Sequence, residues 1–267
     1  MPMIGTNGIQ LSYQRAGSGD PVLFIMGSGA SGRMWTMHQT PALVRLGYEC
    51  ITFDNRGIAP SDTPPGRYRL DDLLADTKGL IDGLGLGRCH LVGMSLGALV
   101  AQELALHHPE TVRSAVLIAT RGRADVMRAA LRRAERALAE SDVRLPPEYE
   151  AVVDVCQMLS PATLNDDDAM STWLDVFELA GDREKRAAGQ AWVDLESDRR
   201  ALLRTVTVPC RVIAFTDDLM TPPHLGAEVA EAIPDCDYAE VAGAGHLGIL
   251  ERPAEVNELI SAFLEKH

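Results

Sequence analysis

The chain has 267 residues, of which 46% are hydrophobic, so it is long enough to bury one substantial core. Its formal net charge is −13, which excludes the basic surface that nucleic acids and anionic membranes require. No run of about 18 or more apolar residues is present, so we predict no membrane-spanning helix.

Strand-like and helix-like segments alternate along the first 121 residues. The predicted strands are short apolar runs at residues 9–15, 22–26, 49–54, 89–92 and 114–119. The predicted helices are a segment that contains Met34, Met37 and Leu43, and residues 71–84 and 98–106. This alternation is typical of a mostly parallel, doubly wound α/β sheet.

The alternation stops after residue 121 and resumes near residue 206. Only helical patterns occur between these points, among them residues 128–140 and 171–180. Two further strands, at residues 210–215 and 237–242, and a final helix at residues 253–265 complete the chain. We therefore predict a core formed by residues 1–121 and 206–267 and a helical cap formed by residues 122–205.

A serine between two glycines lies where the strand at residues 89–92 turns into the next helix. Residues 93–97 read Gly-Met-Ser-Leu-Gly. Side chains in place of Gly93 and Gly97 would clash in so sharp a turn, and the turn projects Ser95 Oγ out of the sheet toward the helix N-terminus. The alternative role for Ser95 is an ordinary helix N-cap. The pattern favours a nucleophile.

A nucleophilic serine needs a base, and the base needs a group that orients it. His246 lies in a glycine-hinged loop after the strand at residues 237–242. Asp217 and Asp218 are neighbours in the loop after the strand at residues 210–215. The chain order is therefore serine, aspartate, histidine, which among serine-hydrolase folds is that of the α/β-hydrolases.

With these residues in place, the chain resembles the α/β-hydrolases over nearly its whole length. Within that superfamily it is similar to the cofactor-free, non-haem haloperoxidases of bacteria. The resemblance rests on residues 53–57, 93–97, 119–123, 218–223 and 245–253. It implies an α/β-hydrolase fold with a helical cap inserted after strand 6, and chemistry that uses neither a cofactor nor a metal.

The resemblance also implies roles for individual residues. In the family the triad acid stands four residues before a proline, a spacing that Asp218 meets with Pro222. Asp218 is therefore the predicted acid and Asp217 the alternative.

An oxyanion hole needs two backbone N–H groups. One is that of Leu96, which follows the nucleophile. By resemblance, the other is that of Ser28, in the loop after the strand at residues 22–26. Many relatives carry a histidine before the first glycine of this loop, and here Met26 replaces it. The donor is a backbone amide, so the chemistry is retained, but the loop loses a polar anchor.

Several large side chains flank the predicted catalytic loops. Packing is their default role, and a substrate pocket is the alternative. The pocket candidates are Met26, Trp35, Met94, Arg121 and Met220. The acidic run at residues 166–168 is typical of a helix start, so no metal site is predicted.

These residues predict a serine hydrolase that cleaves a small carboxylic ester, lactone or thioester through an acyl-enzyme. Hydrogen peroxide in place of water would give a peracid, which oxidises bromide as a side activity. A carbon–carbon bond hydrolase with the same triad and a non-catalytic ligand-binding protein are the alternatives.

The absence of a secretory signal pattern and the five scattered cysteines favour a cytoplasmic protein. The expected partner is a small-molecule substrate, with no nucleic acid and no membrane, and a homo-oligomer is left open.

Overall fold

A computed structural model describes residues 1–179, 188–195 and 197–267. Eight strands form its sheet: β1 (Met3–Thr6), β2 (Ile9–Gly17), β3 (Pro21–Ile25), β4 (Glu49–Phe53), β5 (Cys89–Met94), β6 (Val112–Ile118), β7 (Cys210–Phe215) and β8 (Cys236–Val241). Their order across the sheet is β1-β2-β4-β3-β5-β6-β7-β8. The β1–β2 and β2–β4 pairs are antiparallel and all the others are parallel. The predicted fold class is confirmed.

The helices lie between the strands and in one block after β6. They are α1 (Gln39–Arg45), α2 (Leu70–Gly83), α3 (Leu96–His107), α4 (Val126–Ala139), α5 (Pro147–Met158), α6 (Pro161–Leu164), α7 (Asp167–Leu179), α8 (Arg200–Leu203), α9 (Pro223–Ala232), α10 (Gly248–Glu251) and α11 (Pro253–Leu264). Short 3-10 helices cover Gly32–Thr36, Pro109–Thr111 and Ala188–Trp192. The end of the helix predicted at residues 171–180 lies outside the described residues.

Two elements differ from the sequence prediction. β1 is an additional edge strand of four residues, too short to give a periodic pattern. The single helix predicted around Met34 and Leu43 is divided into the 3-10 helix Gly32–Thr36 and α1. Pro41 explains the division, because it has no N–H to donate to the carbonyl four residues earlier and its ring would clash with that carbonyl.

The two faces of the sheet carry separate apolar clusters. Leu91 packs with residues of α2, α3 and α9 on one face, and its neighbour Val92 packs with residues of α1 and α11 on the other. Successive residues of a strand point to opposite faces, so a strand covered on both sides is apolar throughout. β5 is buried along its full length, so the serine that follows it is attached to a rigid strand.

Among the described residues, no helix has both the length and the apolar character needed to cross a membrane.

One buried polar group inside this sheet is expected to make the stability of the fold depend on pH. His90 of β5 is 1% exposed, and its Nδ1 lies 2.8 Å from Ser114 Oγ. Burial, together with the charge of Arg113, lowers the pKa of His90 from 6.5 to about 4. The unfolded chain takes up this proton near pH 6.5, so the stability that neutral His90 contributes is complete above that pH. It is lost as the pH falls toward 4, by about 3 kcal/mol in all.

We expect His90→Gln, which has no proton to gain, to flatten this part of the stability profile. Its free energy of unfolding, measured by urea denaturation between pH 4 and 6.5, is expected to fall less steeply than that of the wild type. The difference in slope is about 1.4 kcal/mol per pH unit. Parallel profiles for the two proteins would show that His90 does not titrate in this way.

Candidate active site

Ser95 lies on a strained turn between β5 and α3. Its φ of 53° and ψ of −116° are unusual for a residue with a side chain, and its N–H donates to the Ile118 carbonyl at 2.9 Å. A Cβ on Gly93 would lie 2.4 Å from the Gly97 carbonyl oxygen, and one on Gly97 would lie 2.0 Å from the Ile25 carbonyl oxygen. Only glycine fits at both positions. The turn holds the half-buried Ser95 at the wall of a cavity.

His246 is hydrogen bonded to the second of the two candidate acids. Its Nδ1 lies 2.8 Å from Asp218 Oδ2, and both side chains are buried. The other candidate, Asp217, makes different contacts. Its N–H donates to the Ala244 carbonyl, and its carboxylate accepts from Thr216 Oγ1 at 3.4 Å. Asp218 is therefore the aspartate that can orient this imidazole.

The carboxylate of Asp218 is held by several donors. Its Oδ1 accepts from the N–H groups of Met220 and Thr221 at 2.7 and 2.8 Å, and its Oδ2 accepts from Thr221 Oγ1 at 2.7 Å as well as facing His246. Burial alone would raise the pKa of Asp218, but the charge of His246 and these hydrogen bonds outweigh burial and lower it. Asp218 stays ionised and fixed in place.

Thr221 was missed in the sequence. Its signal was a hydroxyl residue three positions after an aspartate, a spacing at which side chains commonly bond to local backbone.

Two backbone N–H groups beside Ser95 have no acceptor among the described residues. Leu96 is the first residue of α3, so its N–H has no partner within the helix. Ser28 follows Gly27, whose close approach to the elbow would bring a Cβ within 3.3 Å of Ser95 Cβ. Both amides are thus free to bind an oxygen of a bound molecule.

The loop that carries Ser28 is anchored without a histidine. The Met26 carbonyl accepts from Asn55 Nδ2 at 3.0 Å, and the Gly29 N–H donates to Gln190 Oε1 at 2.9 Å. Asp54 accepts two more hydrogen bonds from the loop, at 2.6 and 3.0 Å. These contacts supply the polar anchor whose loss the sequence suggested. Gln190 was missed because it is 161 positions from Gly29 in sequence.

The cavity at Ser95 and His246 has a volume of 960 Å³. Of the predicted pocket residues, Met26, Met94, Arg121 and Met220 line it. Trp35 does not, and the prediction for that residue is corrected. It is fully buried, and its ring packs 5.1 Å from that of Phe24 in the apolar cluster beneath the sheet.

The loops that carry Asp218 and His246 are also hydrogen bonded to residues of the helical block or next to it. Arg128 of α4 donates to the Met220 carbonyl at 2.6 Å and also to the carbonyl of Leu219. Glu251 accepts from the Gly245 N–H at 2.6 Å and from the Ser160 N–H at 2.9 Å. The loops of Asp218 and His246 are therefore each tied to residues near or within this block. Sequence patterns report local structure and gave no sign of these long-range contacts.

Within the described part of the chain, no group of three or more histidine, cysteine, aspartate or glutamate side chains is arranged to hold a metal ion.

A sequence profile described as the alpha/beta hydrolase fold matches residues 20–253. The chain belongs to the α/β-hydrolases. This hydrolase is 43% identical over 257 residues to a Mycobacterium tuberculosis protein, BpoC, whose name assigns it to the non-heme bromoperoxidases; the match covers 96% of this chain and 97% of the relative. Membership of the superfamily and of its haloperoxidase-like branch, both predicted from the motifs, is confirmed.

Solved structures agree with this assignment. The structure of Rv0554 from Mycobacterium tuberculosis is 42% identical, with a TM-score of 0.91 and coverage of 97% of this chain and 94% of that one. The enol-lactonase from Burkholderia xenovorans LB400 is 26% identical, with a TM-score of 0.80 and coverage of 99% and 100%. The protein is thus an α/β-hydrolase enzyme, and the chemistry it performs follows from its own site.

Proposed function

We propose that this enzyme hydrolyses small carboxylic esters, lactones or thioesters through an acyl-enzyme on Ser95. The observation that carries the proposal is the 2.8 Å hydrogen bond between the buried Asp218 and His246, at the same cavity that the strained Ser95 lines. A serine nucleophile, an oriented imidazole and two free N–H groups are the components that acyl transfer needs.

In the acylation step, His246 Nε2 accepts the proton of Ser95 as Oγ attacks the carbonyl carbon. The developing oxyanion accepts hydrogen bonds from the N–H groups of Leu96 and Ser28. Asp218 stabilises the positive charge that His246 acquires. The protonated imidazole then donates its proton to the leaving oxygen or sulfur, and the ester bond breaks.

Deacylation repeats these roles with water. His246 takes a proton from a water molecule, whose oxygen attacks the acyl carbon, and the same two N–H groups bind the second oxyanion. Ser95 leaves with the proton returned by His246. The products are a carboxylic acid and the regenerated enzyme.

A second activity is supported by the 43% identity to a relative named for bromoperoxidase. If hydrogen peroxide replaces water in deacylation, the acyl group leaves as a peracid. The peracid transfers its terminal OH to bromide as the O–O bond breaks, giving hypobromous acid and the parent carboxylate. Bromination on this route needs a carboxylic acid or ester, peroxide and Ser95, and it needs no haem.

The test is intact-mass analysis after treatment with a small fluorophosphonate, with Ser95→Ala as the matched variant. We expect one adduct on the wild type, none on Ser95→Ala, and a loss of ester hydrolysis of about 10³-fold or more in the variant. Absence of an adduct on folded wild-type protein would favour the ligand-binding alternative.

The same variant tests the second activity. Acetate-dependent bromination of a phenol dye by peroxide and bromide is expected to disappear with Ser95→Ala. Bromination that persists in the variant would rule out the peracid route.

A further inference from the structure

Helix α7 presents an apolar face to the cavity at Ser95. Trp173, Val176 and Phe177 lie three and four residues apart, so they share one side of the helix. All three line the cavity. None of the residues that the structure describes in α7 is buried, and Val176 is 51% exposed. An apolar surface of this kind, at the cavity of a nucleophile, indicates that an apolar group binds there.

Other apolar side chains continue this surface across the cavity. Methionine is the most frequent of them, and its flexible side chain adapts to apolar ligands of different shape. The methionines of the wall are Met26, Met34, Met37, Met94, Met158 and Met220. Met94 is next to the nucleophile, whereas Met37 and Val143, which also lines the cavity, are exposed to solvent. The apolar lining therefore extends from the nucleophile to the mouth of the cavity.

The charged side chains of the wall are matched by charges of opposite sign. Arg121 Nη2 donates to Asp194 Oδ1 at 2.5 Å, and Arg132 Nη1 donates to Glu135 Oε2 at 3.3 Å. Apart from His246, the other charged residues that the structure describes in the wall are two cations and two anions, Arg128, Arg144, Glu150 and Asp154. A charged substrate would enter this apolar lining without an unmatched countercharge, so the wall favours a neutral one.

The size of the cavity indicates how large the apolar group is. A volume of 960 Å³ lies near the upper end of the range for ligand sites, about 300 to 1,000 Å³. An acetyl group on Ser95 would fill a small part of this space and leave the remainder to water in contact with apolar side chains. A longer chain that displaces this water gains the free energy of burying apolar surface.

Of the two parts of an ester, the acyl group benefits most from such a lining. It stays in the cavity through acylation and deacylation, whereas the leaving group departs after the first step. Contacts with the acyl chain are therefore available to both transition states.

We propose that this lining, with the α7 face formed by Trp173, Val176 and Phe177, binds the acyl chain, and that the preferred substrates are neutral esters with an extended aliphatic acyl group. The inference rests on the proposed function, because it names the substrate class of the same cavity. The acyl chain lies against α7 and the methionines while the ester carbonyl lies at Ser95.

The test compares kcat/KM for p-nitrophenyl octanoate with that for p-nitrophenyl acetate, at concentrations below those at which the octanoate ester aggregates. The two esters differ only in the acyl chain. Each fully buried methylene group contributes about fourfold, and we expect the wild type to prefer the octanoate ester by about 10²-fold or more.

Two valines of equal exposure test the role of α7. Val176→Asn places an amide on the face that binds the chain, and we expect it to lower the preference for octanoate by about threefold to tenfold. Val152→Asn is the matched control. Val152 of α5 is 50% exposed and is not among the described residues that line the cavity, so the preference is expected to stay. Thermal unfolding shows whether both variants are folded.

A third ester tests the neutrality of the substrate. The acyl chain of mono-p-nitrophenyl suberate has the length of octanoate and ends in a carboxylate. We expect its kcat/KM to be lower than that of the octanoate ester by about tenfold or more, because the carboxylate loses its hydration in an apolar lining. Equal values for the two esters would overturn the preference for a neutral chain.

The remaining outcomes separate this inference from the proposed function. Ser95-dependent hydrolysis without a preference for octanoate would overturn the acyl site and leave the hydrolase standing. A preference that Val176→Asn leaves unchanged, or that both valine variants lower equally, would overturn the role of α7. A fluorophosphonate adduct without hydrolysis of any of these esters would overturn the substrate class and leave the nucleophile standing. Neither an adduct nor hydrolysis would overturn the proposed function and the acyl site with it.

Discussion

We expect Asp218→Asn to lower kcat/KM for p-nitrophenyl pentanoate by about 10³- to 10⁴-fold. An asparagine amide at this position would donate to His246 Nδ1 and so place the ring proton on Nε2. In that tautomer the imidazole cannot accept the proton of Ser95. Thr221 Oγ1 can turn from donor to acceptor, so the variant is expected to fold.

Asp217→Asn is the matched control for this prediction. Its carboxylate has no contact with His246 among the described residues, and we expect kcat/KM to stay within about threefold of the wild type. Thermal unfolding of both variants shows whether they are folded. A large loss with Asp217→Asn and none with Asp218→Asn would give the triad position to Asp217.

Gly97→Ala is expected to destabilise the protein by about 4 kcal/mol or more and to abolish activity. The added Cβ would lie 2.0 Å from the Ile25 carbonyl oxygen and 2.9 Å from that of Met26. These are backbone atoms of a buried strand and its loop, so the elbow and the oxyanion loop would have to move apart. Urea unfolding and labelling of Ser95 measure the two effects.

Gly226→Ala is the control for the general effect of alanine at a helical glycine. Gly226 lies in α9, and the nearest atom to an added Cβ is Val212 Cγ1 at 3.2 Å, in a side chain that can adjust. Alanine favours a helix over glycine by about 1 kcal/mol, which offsets the contact. Equal destabilisation by both substitutions would show that the elbow is less tightly packed than these distances indicate.

The sequence was sufficient for the parts of the site that depend on local geometry. The two glycines around Ser95 are required by atoms less than 3 Å away, and the strand and helix beside them have clear periodicity. His246 and Asp218 follow late strands, and the resemblance to the family, whose acid stands four residues before a proline, favoured Asp218 over Asp217. Parallel strands end at one edge of a sheet, so residues after those ends come together.

The remaining residues of the site depend on contacts that no local pattern encodes. Gln190 meets Gly29 from 161 positions away, and Arg128 meets Met220 from 92 positions away. The prediction that Trp35 lines the pocket was wrong for the opposite reason. Its distance from the loop in sequence is small, but its orientation on a short 3-10 helix is set by packing against the sheet.

The hydrogen bonds from the helical block to the catalytic loops bear on how this enzyme can be re-engineered. An experiment that joins the cap of one hydrolase to the core of another assumes that the cap sets substrate selectivity and the core sets the turnover rate. Here Gln190 and Arg128 lie in the segment that the sequence predicts to be the cap, yet they are hydrogen bonded to the loops that carry Ser28 and Asp218. We expect a transplanted cap that lacks their equivalents to alter the rate along with the choice of substrate.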